Sequence, residues 1–295
     1  MGVFSAPEKR NNEPRRTPDR AGSALVPFSW GSSGGTDDQL IQRLSETTLQ
    51  LSRVVGHVVV VDDGSGLTFT AADIPGCDQL VRLERNVGKT EAIRVGLREL
   101  VDKEGIHYIV QCDCDLDQRP SDAWLLVDAY RRIDPNRATG PVLLVGDRYP
   151  SYAKTFRSDP YRAELLLAST LACRLGGLKL RDLVSGFRLF SVDFARRHLA
   201  MSKTDGFGLE IEQAVCAYLC DAVTGNIRLS WSRPRAKTTK GWKIIEVLEG
   251  ISIHADAIKA KGWQGRLVEA WASRILAKVK KTNRSDFGLG LTVRR

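Results

Sequence analysis

The sequence predicts an α/β fold built on a mainly parallel central sheet. Three observations support it: apolar strand-like segments alternate with helix-like ones, the intervals can hold a helix, and two strands end in aspartates. This alternation is typical of βαβ units, whose parallel strands gather functional residues beyond their carboxyl ends. With 295 residues, 42% of them hydrophobic, the chain can bury the core that this fold needs.

The alternation begins at Ala24 and can be followed element by element. Thr36 and Gln39 form a capping-box pattern that predicts the start of the first helix. Beyond Gly186 the sequence indicates mostly helix, with one strand-like segment at 227–231. The predicted helices span 36–53, 88–105 and 121–133, and the predicted strands are ALVPF, HVVVV, LVRLE, HYIVQC and PVLLVGD.

Composition divides the chain into four regions. Residues 1–22 combine proline and charge with few apolar residues, which predicts a disordered tail. Residues 23–250 form the predicted folded domain, 251–281 the predicted C-terminal amphipathic helices, and 282–295 a basic tail.

The net charge of +9 does not indicate a nucleic-acid-binding protein. Residues 1–22 carry +2 and residues 274–295 carry +6, so the whole middle of the chain carries about +1. A nucleic-acid groove is expected within the folded body. We therefore expect no nucleic-acid partner.

Membrane and secretory signals are not evident in the sequence. No apolar run approaches the roughly 20 residues that cross a bilayer, and the N-terminus lacks the apolar stretch of a signal peptide. The six cysteines show no CxxC spacing, which favours free thiols in a reducing cytoplasm.

The segment YIVQCDCDLDQRP, residues 108–120, ends a predicted strand in Asp113, Asp115 and Asp117. Converging carboxylates repel one another unless a cation neutralises them. All-oxygen ligands suit Mg²⁺ or Mn²⁺, which often bridge carboxylates and substrate phosphates. The alternative is a solvated loop that caps the next helix, and Pro120 favours that interpretation in part.

The segment NVGKT, residues 86–90, resembles part of a phosphate-binding loop. That loop requires GxxxxGK[ST], but Leu83 stands where the first glycine belongs, so we exclude a P-loop ATPase. Lys89 can still contact phosphate as a point charge, or it is a solvated lysine in the first turn of a helix.

The segment RDLVSGFRLF, residues 181–190, places Arg188 among apolar neighbours. A guanidinium in such surroundings needs an anionic partner, either a ligand or an acid of the protein. The Ser-Gly pair permits close approach of the backbone.

Together these motifs resemble the family 2 glycosyltransferases, most closely the dolichol- and polyprenol-phosphate mannosyltransferases. Six motifs occur in the family's order between about Ala24 and Lys243, around three-quarters of the chain. They are VVVVDDGSG, NVGKTEA, DCDLDQRP, GDRY, DLVSGFRLF and GFGLEIE.

The resemblance implies a GT-A type αβα sandwich that binds a nucleotide-diphosphate sugar and Mg²⁺ or Mn²⁺. Asp62 and Asp63 would lie near the base and ribose, and Lys89 and Arg188 would face phosphates. It implies metal ligation by Asp113, Asp115 and Asp117, nucleotide-sugar contacts from Asp113, Pro27, Cys114, Ser185 and Gly186, and catalytic roles for Asp115, Arg188 and Glu212.

The chain departs from the family at three points. FSWGSSGG replaces the usual acidic turn after the first strand, so Trp30 is a candidate to stack on the base. Asp117 replaces a glutamine, which makes the metal site more anionic. Transmembrane helices, frequent in the family, are not evident here.

Basic residues gather at 233–243, where the family meets its acceptor phosphate. The resemblance implies that Arg233, Arg235 and Lys240 bind that phosphate, unless the segment is a solvated loop. A phosphate acceptor is already anionic and needs no general base. A sugar hydroxyl does, and Glu210 and Glu212 are then the candidates, unless they cap a helix or form salt bridges.

Residues 262–281 are predicted to form a helix with an apolar stripe along one face, flanked by lysines and arginines. Such a helix can lie in a membrane interface, although packing on the domain is the more common arrangement. The interfacial position would give a cytoplasmic enzyme peripheral access to a lipid acceptor.

The main hypothesis is a metal-dependent transfer of mannose or glucose to a polyprenyl phosphate, by single displacement with inversion. The resemblance implies mannose on a guanine nucleotide as the donor, and glucose on a uridine nucleotide is the alternative. One alternative keeps the donor site but uses a soluble phosphorylated or glycosylated acceptor. Another is a catalytically inactive basic scaffold protein.

Overall fold

A computed structural model of the chain describes most of the predicted domain. The described residues are 17–29, 36–116, 118–133, 140–148, 180–205, 208–230 and 250–262, with the pairs 266–267, 269–270 and 273–274. The basic segment 233–243, most of the predicted amphipathic helix, Asp117 and Trp30 lie outside these residues.

Within the described ranges, seven strands form one sheet in the order β3-β2-β1-β4-β6-β5-β7. Strand β6 runs antiparallel to β4 and β5, and the other neighbouring pairs are parallel. The strands are β1 Asp19–Phe28, β2 Val55–Asp62, β3 Gln79–Arg82, β4 Tyr108–Gln111, β5 Val142–Asp147, β6 Arg188–Ser191 and β7 Val223–Arg228.

Helices cover both faces of the sheet, which gives the predicted αβα sandwich. The helices are α1 Asp37–Leu51, α2 Lys89–Val101, α3 Ala123–Arg131, α4 Val192–Met201, α5 Gly208–Leu219 and α6 Ala255–Ala260. Alternate strand residues serve the two layers: Leu25 packs with α2, α4 and α5, whereas Val26 packs with α1 and α3. The fold class predicted from the sequence is confirmed.

The start of α1 follows the predicted capping box. The Thr36 hydroxyl accepts a hydrogen bond from the Gln39 backbone N–H, and Gln39 Oε1 accepts one from the Thr36 N–H, both at 3.4 Å. Two otherwise unpaired donors are thereby satisfied.

The first strand begins earlier than predicted, because residues 19–22 belong to β1 and not to a disordered tail. The Asp19 carboxylate accepts a hydrogen bond from the Tyr108 hydroxyl at 2.8 Å and pairs with Arg131 at 2.7 Å. Gly22 also lies against the Tyr108 ring, where an added Cβ atom would come within 2.3 Å. These distant contacts, invisible in local composition, order the polar start of the strand.

The region after Gly186, predicted to be mostly helical, contains strand β6. Its four residues pair with β4 on one side and β5 on the other, so long-range pairing makes it a strand. The strand predicted at 227–231 is observed at Val223–Arg228.

The described part of the chain contains no helix long and apolar enough to cross a membrane. Its five cysteines, Cys77, Cys112, Cys114, Cys216 and Cys220, are all free thiols, as predicted.

Candidate active site

The candidate site lies where β1, β2 and β4 end and β6 begins. The three parallel strands place their carboxyl ends on one edge of the sheet, and Gln111 of β4 pairs with Arg188 of antiparallel β6. The residues after β2, the residues after β4 and the Ser185-Gly186 turn before β6 therefore meet at this edge. This is where open α/β sheets bind ligands.

Asp113 and Lys89 form the centre of the site. Lys89 Nζ donates to Asp113 Oδ2 at 2.8 Å and to Glu210 Oε1 at 2.9 Å. Burial opposes the charged form of Lys89, but the carboxylates of Asp113 and Glu210 outweigh it and raise the pKa of Lys89 well above its ordinary value. The ammonium is therefore charged at neutral pH.

Gly186 allows the approach between the turn before β6 and Asp113. A Cβ atom added at Gly186 would lie 2.3 Å from Asp113 Oδ2, closer than side-chain atoms can come. The Gly186 carbonyl also accepts a hydrogen bond from Gln111 Nε2 at 3.2 Å, and Gln111 Oε1 accepts one from Gln213. The glycine is therefore fixed over the end of β4.

The paired aspartates after β2 are turned into the protein. Asp62 Oδ1 accepts from the Ser65 N–H at 2.9 Å, and Asp62 Oδ2 pairs with Arg82 at 3.1 Å. Asp63 accepts hydrogen bonds from the N–H groups of Val87 and Gly88. Burial raises the pKa of Asp63, and these two donors oppose the increase.

These contacts give Asp63 a structural role, because Val87 and Gly88 lead directly into α2. Gly88 adopts a left-handed φ of 96° and places Lys89 at the first position of the helix. Asp63 therefore fixes the loop that aims Lys89 at Asp113. The roles of Asp62 and Asp63 beside base and ribose stay a prediction.

The loop after β4 contains the predicted metal ligand Asp115 between two notable residues, Cys114 and Leu116. Cys114 Sγ lies 3.8 Å from the carbonyl oxygen of Pro27, and burial raises the pKa of the Cys114 thiol to about 12. Leu116 adopts a left-handed φ of 60°, an uncommon conformation for a non-glycine residue. This turn follows Asp115 directly, and such strain is frequent at ligand-binding loops.

Asp113 has an unused ligand atom that suits a metal. Asp113 Oδ1 is buried and has no hydrogen-bond partner among the described residues. Its carboxylate, with Asp115 nearby in sequence and Asp117 outside the described part, supplies the oxygen donors that Mg²⁺ and Mn²⁺ prefer. No group of three such ligands is complete within the described residues.

Arg188 does not face phosphate in this structure, which corrects the sequence-based prediction. Its side chain is 0% exposed. The guanidinium donates to the carbonyl oxygens of Ser185, Leu183 and Glu210 and to Gln213 Oε1. Through these contacts Arg188 holds the turn before β6 against α5.

Glu212 is also misassigned as a catalytic base. It is 0% exposed and accepts hydrogen bonds from Ser202, from the N–H groups of Lys203 and Thr204, and from His254. Burial would raise the pKa of Glu212, but the interactions with His198, His254 and Ser202 outweigh it and hold the pKa well below its ordinary range. Because donors of the protein occupy both of its oxygens, Glu212 is not placed in this structure to take a proton from a substrate.

The salt-bridging alternative holds for Glu210, which pairs with Lys89, whereas Glu212 is held by hydrogen bonds inside the protein. Sequence reasoning did not find a second ion pair beside the site, Arg148–Asp182. It is buried and bidentate, with distances of 2.7 and 2.9 Å. Arg148 lies in the motif GDRY and Asp182 in the motif DLVSGFRLF. The presence of both residues in motifs of the resemblance was the sequence signal that could have identified the ion pair.

Among known proteins, the chain is similar to solved structures only at the level of the fold. No protein-family model matches the chain, and no curated protein matches its sequence. Several crystal structures of glucosyl-3-phosphoglycerate synthase from Mycobacterium tuberculosis are similar. A complex with Mn²⁺, UDP and glucosyl-3-phosphoglycerate has a TM-score of 0.53 and 18% identity, covering 78% of this chain and 80% of that chain.

The chain has a GT-A type fold. A complex of the same enzyme with Mn²⁺ and UDP-glucose has a TM-score of 0.52 and 20% identity, covering 78% of this chain and 79% of that one. A complex with phosphoglyceric acid has a TM-score of 0.51 and 18% identity, covering 81% and 79%. At these identities the likeness concerns the GT-A fold.

Proposed function

We propose that this chain is a metal-dependent glycosyltransferase that moves a hexose from a nucleotide-diphosphate sugar to a soluble, phosphorylated acceptor. The observation that carries the proposal is the Asp113–Lys89–Gly186 arrangement at the strand ends of a GT-A fold. It supplies a charged ammonium beside a carboxylate that has one buried oxygen without a hydrogen-bond partner among the described residues. These are the groups that a metal-bound diphosphate needs.

The chemistry follows from where negative charge develops. Asp113 and Asp115, with Asp117, would hold the metal, and Lys89 lies within reach of a phosphate bound beside Asp113. When bound, Mn²⁺ or Mg²⁺ would stabilise the charge of the departing nucleoside diphosphate. Arg188 and Asp63 keep the turn before β6 and the start of α2 in place around these groups.

For the donor, UDP-glucose has more support than a guanosine diphosphate sugar. Structures of the glucosyl-3-phosphoglycerate synthase that share this fold contain UDP or UDP-glucose with Mn²⁺. The competing donor, GDP-mannose, rests on the sequence resemblance alone.

For the acceptor, a small soluble phosphate ester has more support than a polyprenyl phosphate. The synthase with the same fold was crystallised with phosphoglyceric acid. The basic side chains of Arg233, Arg235 and Lys240 would meet the phosphate of such an acceptor as readily as that of a lipid. The peripheral membrane contact through 262–281, the cytoplasmic location and the inverting outcome stay predictions.

A transfer assay tests the proposal. The full chain is incubated with UDP-[¹⁴C]glucose or GDP-[¹⁴C]mannose, Mn²⁺, and either 3-phosphoglycerate or a short-chain polyprenyl phosphate in detergent. We expect transfer from UDP-glucose to the soluble acceptor, its loss with excess EDTA, and its recovery on adding Mn²⁺. Transfer only to the polyprenyl phosphate would restore the main sequence-based hypothesis. No transfer from either donor, with full fold retained, would favour the scaffold alternative.

A further inference from the structure

The ammonium of Lys89 is shared between two carboxylates that come from opposite sides of the site. Asp113 follows β4 and lies 2.8 Å away, whereas Glu210 belongs to α5 and lies 2.9 Å away. Glu210 is 2% exposed, but the Lys89 side chain is 33% exposed. The Lys89 side chain therefore borders solvent, while its inner anchor does not.

This arrangement places the ammonium on an oxygen that a metal ligand would use. Asp113 Oδ2 accepts from Lys89, whereas Asp113 Oδ1 is buried and has no partner in the described part of the chain. Gly186 closes over the same carboxylate, so the carboxylate has little room to turn away from Lys89. A divalent cation on Oδ1 would share the carboxylate with the ammonium on Oδ2, so the two positive charges would repel each other and compete for Asp113.

Glu210 determines what happens to the displaced ammonium. A buried carboxylate without a compensating charge is strongly destabilising, so Lys89 cannot leave Glu210 without cost. Lys89 can release Asp113 and still keep Glu210 as its counter-ion. From there its remaining donors are free to bind a phosphate.

We propose that Glu210 is a positioning residue that acts through Lys89 and couples metal binding to diphosphate binding. In the ligand-free site Lys89 neutralises Asp113. With a divalent cation bound at Asp113, Glu210 would retain Lys89, and the Lys89 ammonium would be available to the diphosphate. This inference rests on the proposed function.

Thermodynamic linkage makes the proposal measurable. If the metal frees Lys89 for diphosphate, then diphosphate must strengthen metal binding by the same factor. The coupling factor is the ratio of the Mn²⁺ dissociation constants without and with saturating UDP. Isothermal titration of the full chain gives both constants without any turnover.

The two neutral variants are expected to move this factor in opposite directions. In Lys89→Met the competitor for Asp113 is removed, so Mn²⁺ alone should bind about tenfold more tightly, about 1.4 kcal/mol, and the coupling factor should shrink. In Glu210→Gln the displaced ammonium has lost its anchor. Mn²⁺ alone should then bind about tenfold more weakly, and the factor should grow, because UDP takes over the ammonium.

A matched pair of controls comes from the surface. Lys259 and Glu269 form an ion pair at 3.1 Å away from the site, with Lys259 42% exposed. Lys259→Met and Glu269→Gln make the same charge changes, and both should keep the wild-type Mn²⁺ affinity and coupling factor. Far-UV circular dichroism verifies that each variant is folded. If Lys89→Met or Glu210→Gln unfolds, Lys89→Gln or Glu210→Asp replaces it in the titrations.

The outcomes separate this inference from the proposed function. If both site variants shift the Mn²⁺ affinity but leave the coupling factor unchanged, each charge acts on the metal independently of UDP. That result would overturn this inference and leave the proposed function standing. A wild-type chain that binds neither Mn²⁺ nor UDP would overturn the proposed function. Opposite shifts of the factor in the two variants support the coupling.

Discussion

Gly186 illustrates how single residues decide the geometry of the site. Three atoms of the Asp113 carboxylate lie within 3 Å of where a Cβ atom at position 186 would stand. Overlap with a carboxylate at the end of a buried strand cannot be relieved by a small rotation, because Gln111 fixes the Gly186 carbonyl. The Ser-Gly pair in the sequence indicated close backbone approach, but only the structure shows that Asp113 is what approaches.

Replacement of this glycine tests the geometry. In Gly186→Ala we expect Mn²⁺-dependent UDP binding to fall by at least about tenfold, because Asp113 must move away from Lys89. Fluorescence or calorimetric titration measures the effect. Gly225→Ala on β7 is the control, since its added methyl group meets only the flexible end of Leu144 at 3.0 Å. Equal binding by both variants would show that the Asp113 position is not critical.

At the scale of elements, α5 contributes side chains both to the candidate site and to the buried core. Glu210 faces Lys89, Gln213 contacts Arg188 and Gln111, and Glu212 is buried among His198, His254 and Ser202. The motif GFGLEIE correctly predicted an apolar and acidic helix. It could not show which acid faces the site, because that depends on how α5 is rotated against the sheet.

The buried cluster around Glu212 predicts a decrease in stability at mildly acidic pH. Burial lowers the pKa of His198 below its ordinary value of 6.5. Below pH 6.5 His198 therefore binds a proton in the unfolded chain but not in the folded chain. The contribution of His198 to the free energy of unfolding is complete above that pH and is lost as the pH falls. The lowered pKa of Glu212 adds a further loss only below its ordinary value of 4.5.

Urea unfolding at pH 7.5 and 5.5 measures this dependence. We expect the wild-type free energy of unfolding to fall by about 1 kcal/mol from the His198 contribution, and His198→Gln to remove most of that fall. His107→Gln, which replaces an exposed ring, is the control. A His198→Gln slope equal to that of the wild type would contradict the assignment.

The same scale shows which elements the sequence could predict. Helix α1 follows from a local signal, the capping box, and α2 from apolar periodicity that ends in a glycine. Strand β6 could not be predicted, because its four residues become a strand only through pairing with β4 and β5. The start of β1 was missed for a similar reason, since Tyr108 and Arg131 stabilise it from afar.

At the scale of the whole molecule, ligand binding should appear as folding free energy. The candidate site joins the ends of β1, β2 and β4 with the start of β6 and two helices, so a metal–nucleotide complex bound there would connect much of the domain. UDP with Mn²⁺ at about 100 times the dissociation constant should stabilise the fold by ~2.7 kcal/mol. Thermal or urea unfolding measures this gain.

The gain should depend on Asp113 and on both ligands together. Asp113→Asn keeps the shape of the side chain but removes its charge, so UDP with Mn²⁺ should give little stabilisation. EDTA should abolish the effect in the wild type. Asp128→Asn, which alters an ion pair between α3 and Arg132 just after it, should respond like the wild type. Full stabilisation of Asp113→Asn would remove the basis for a metal at this position.

The placement of β6 has a consequence for when the candidate site forms during folding. The first three strands and α1 and α2 are close in sequence and can assemble through short-range contacts, whereas Gly186 reaches Asp113 only after β6 has inserted between β4 and β5. Such distant pairings form late and slowly, because bringing together segments far apart in sequence costs loop-closure entropy. During refolding, Mn²⁺-dependent nucleotide capture should therefore lag behind the recovery of helical signal and report the final assembly step.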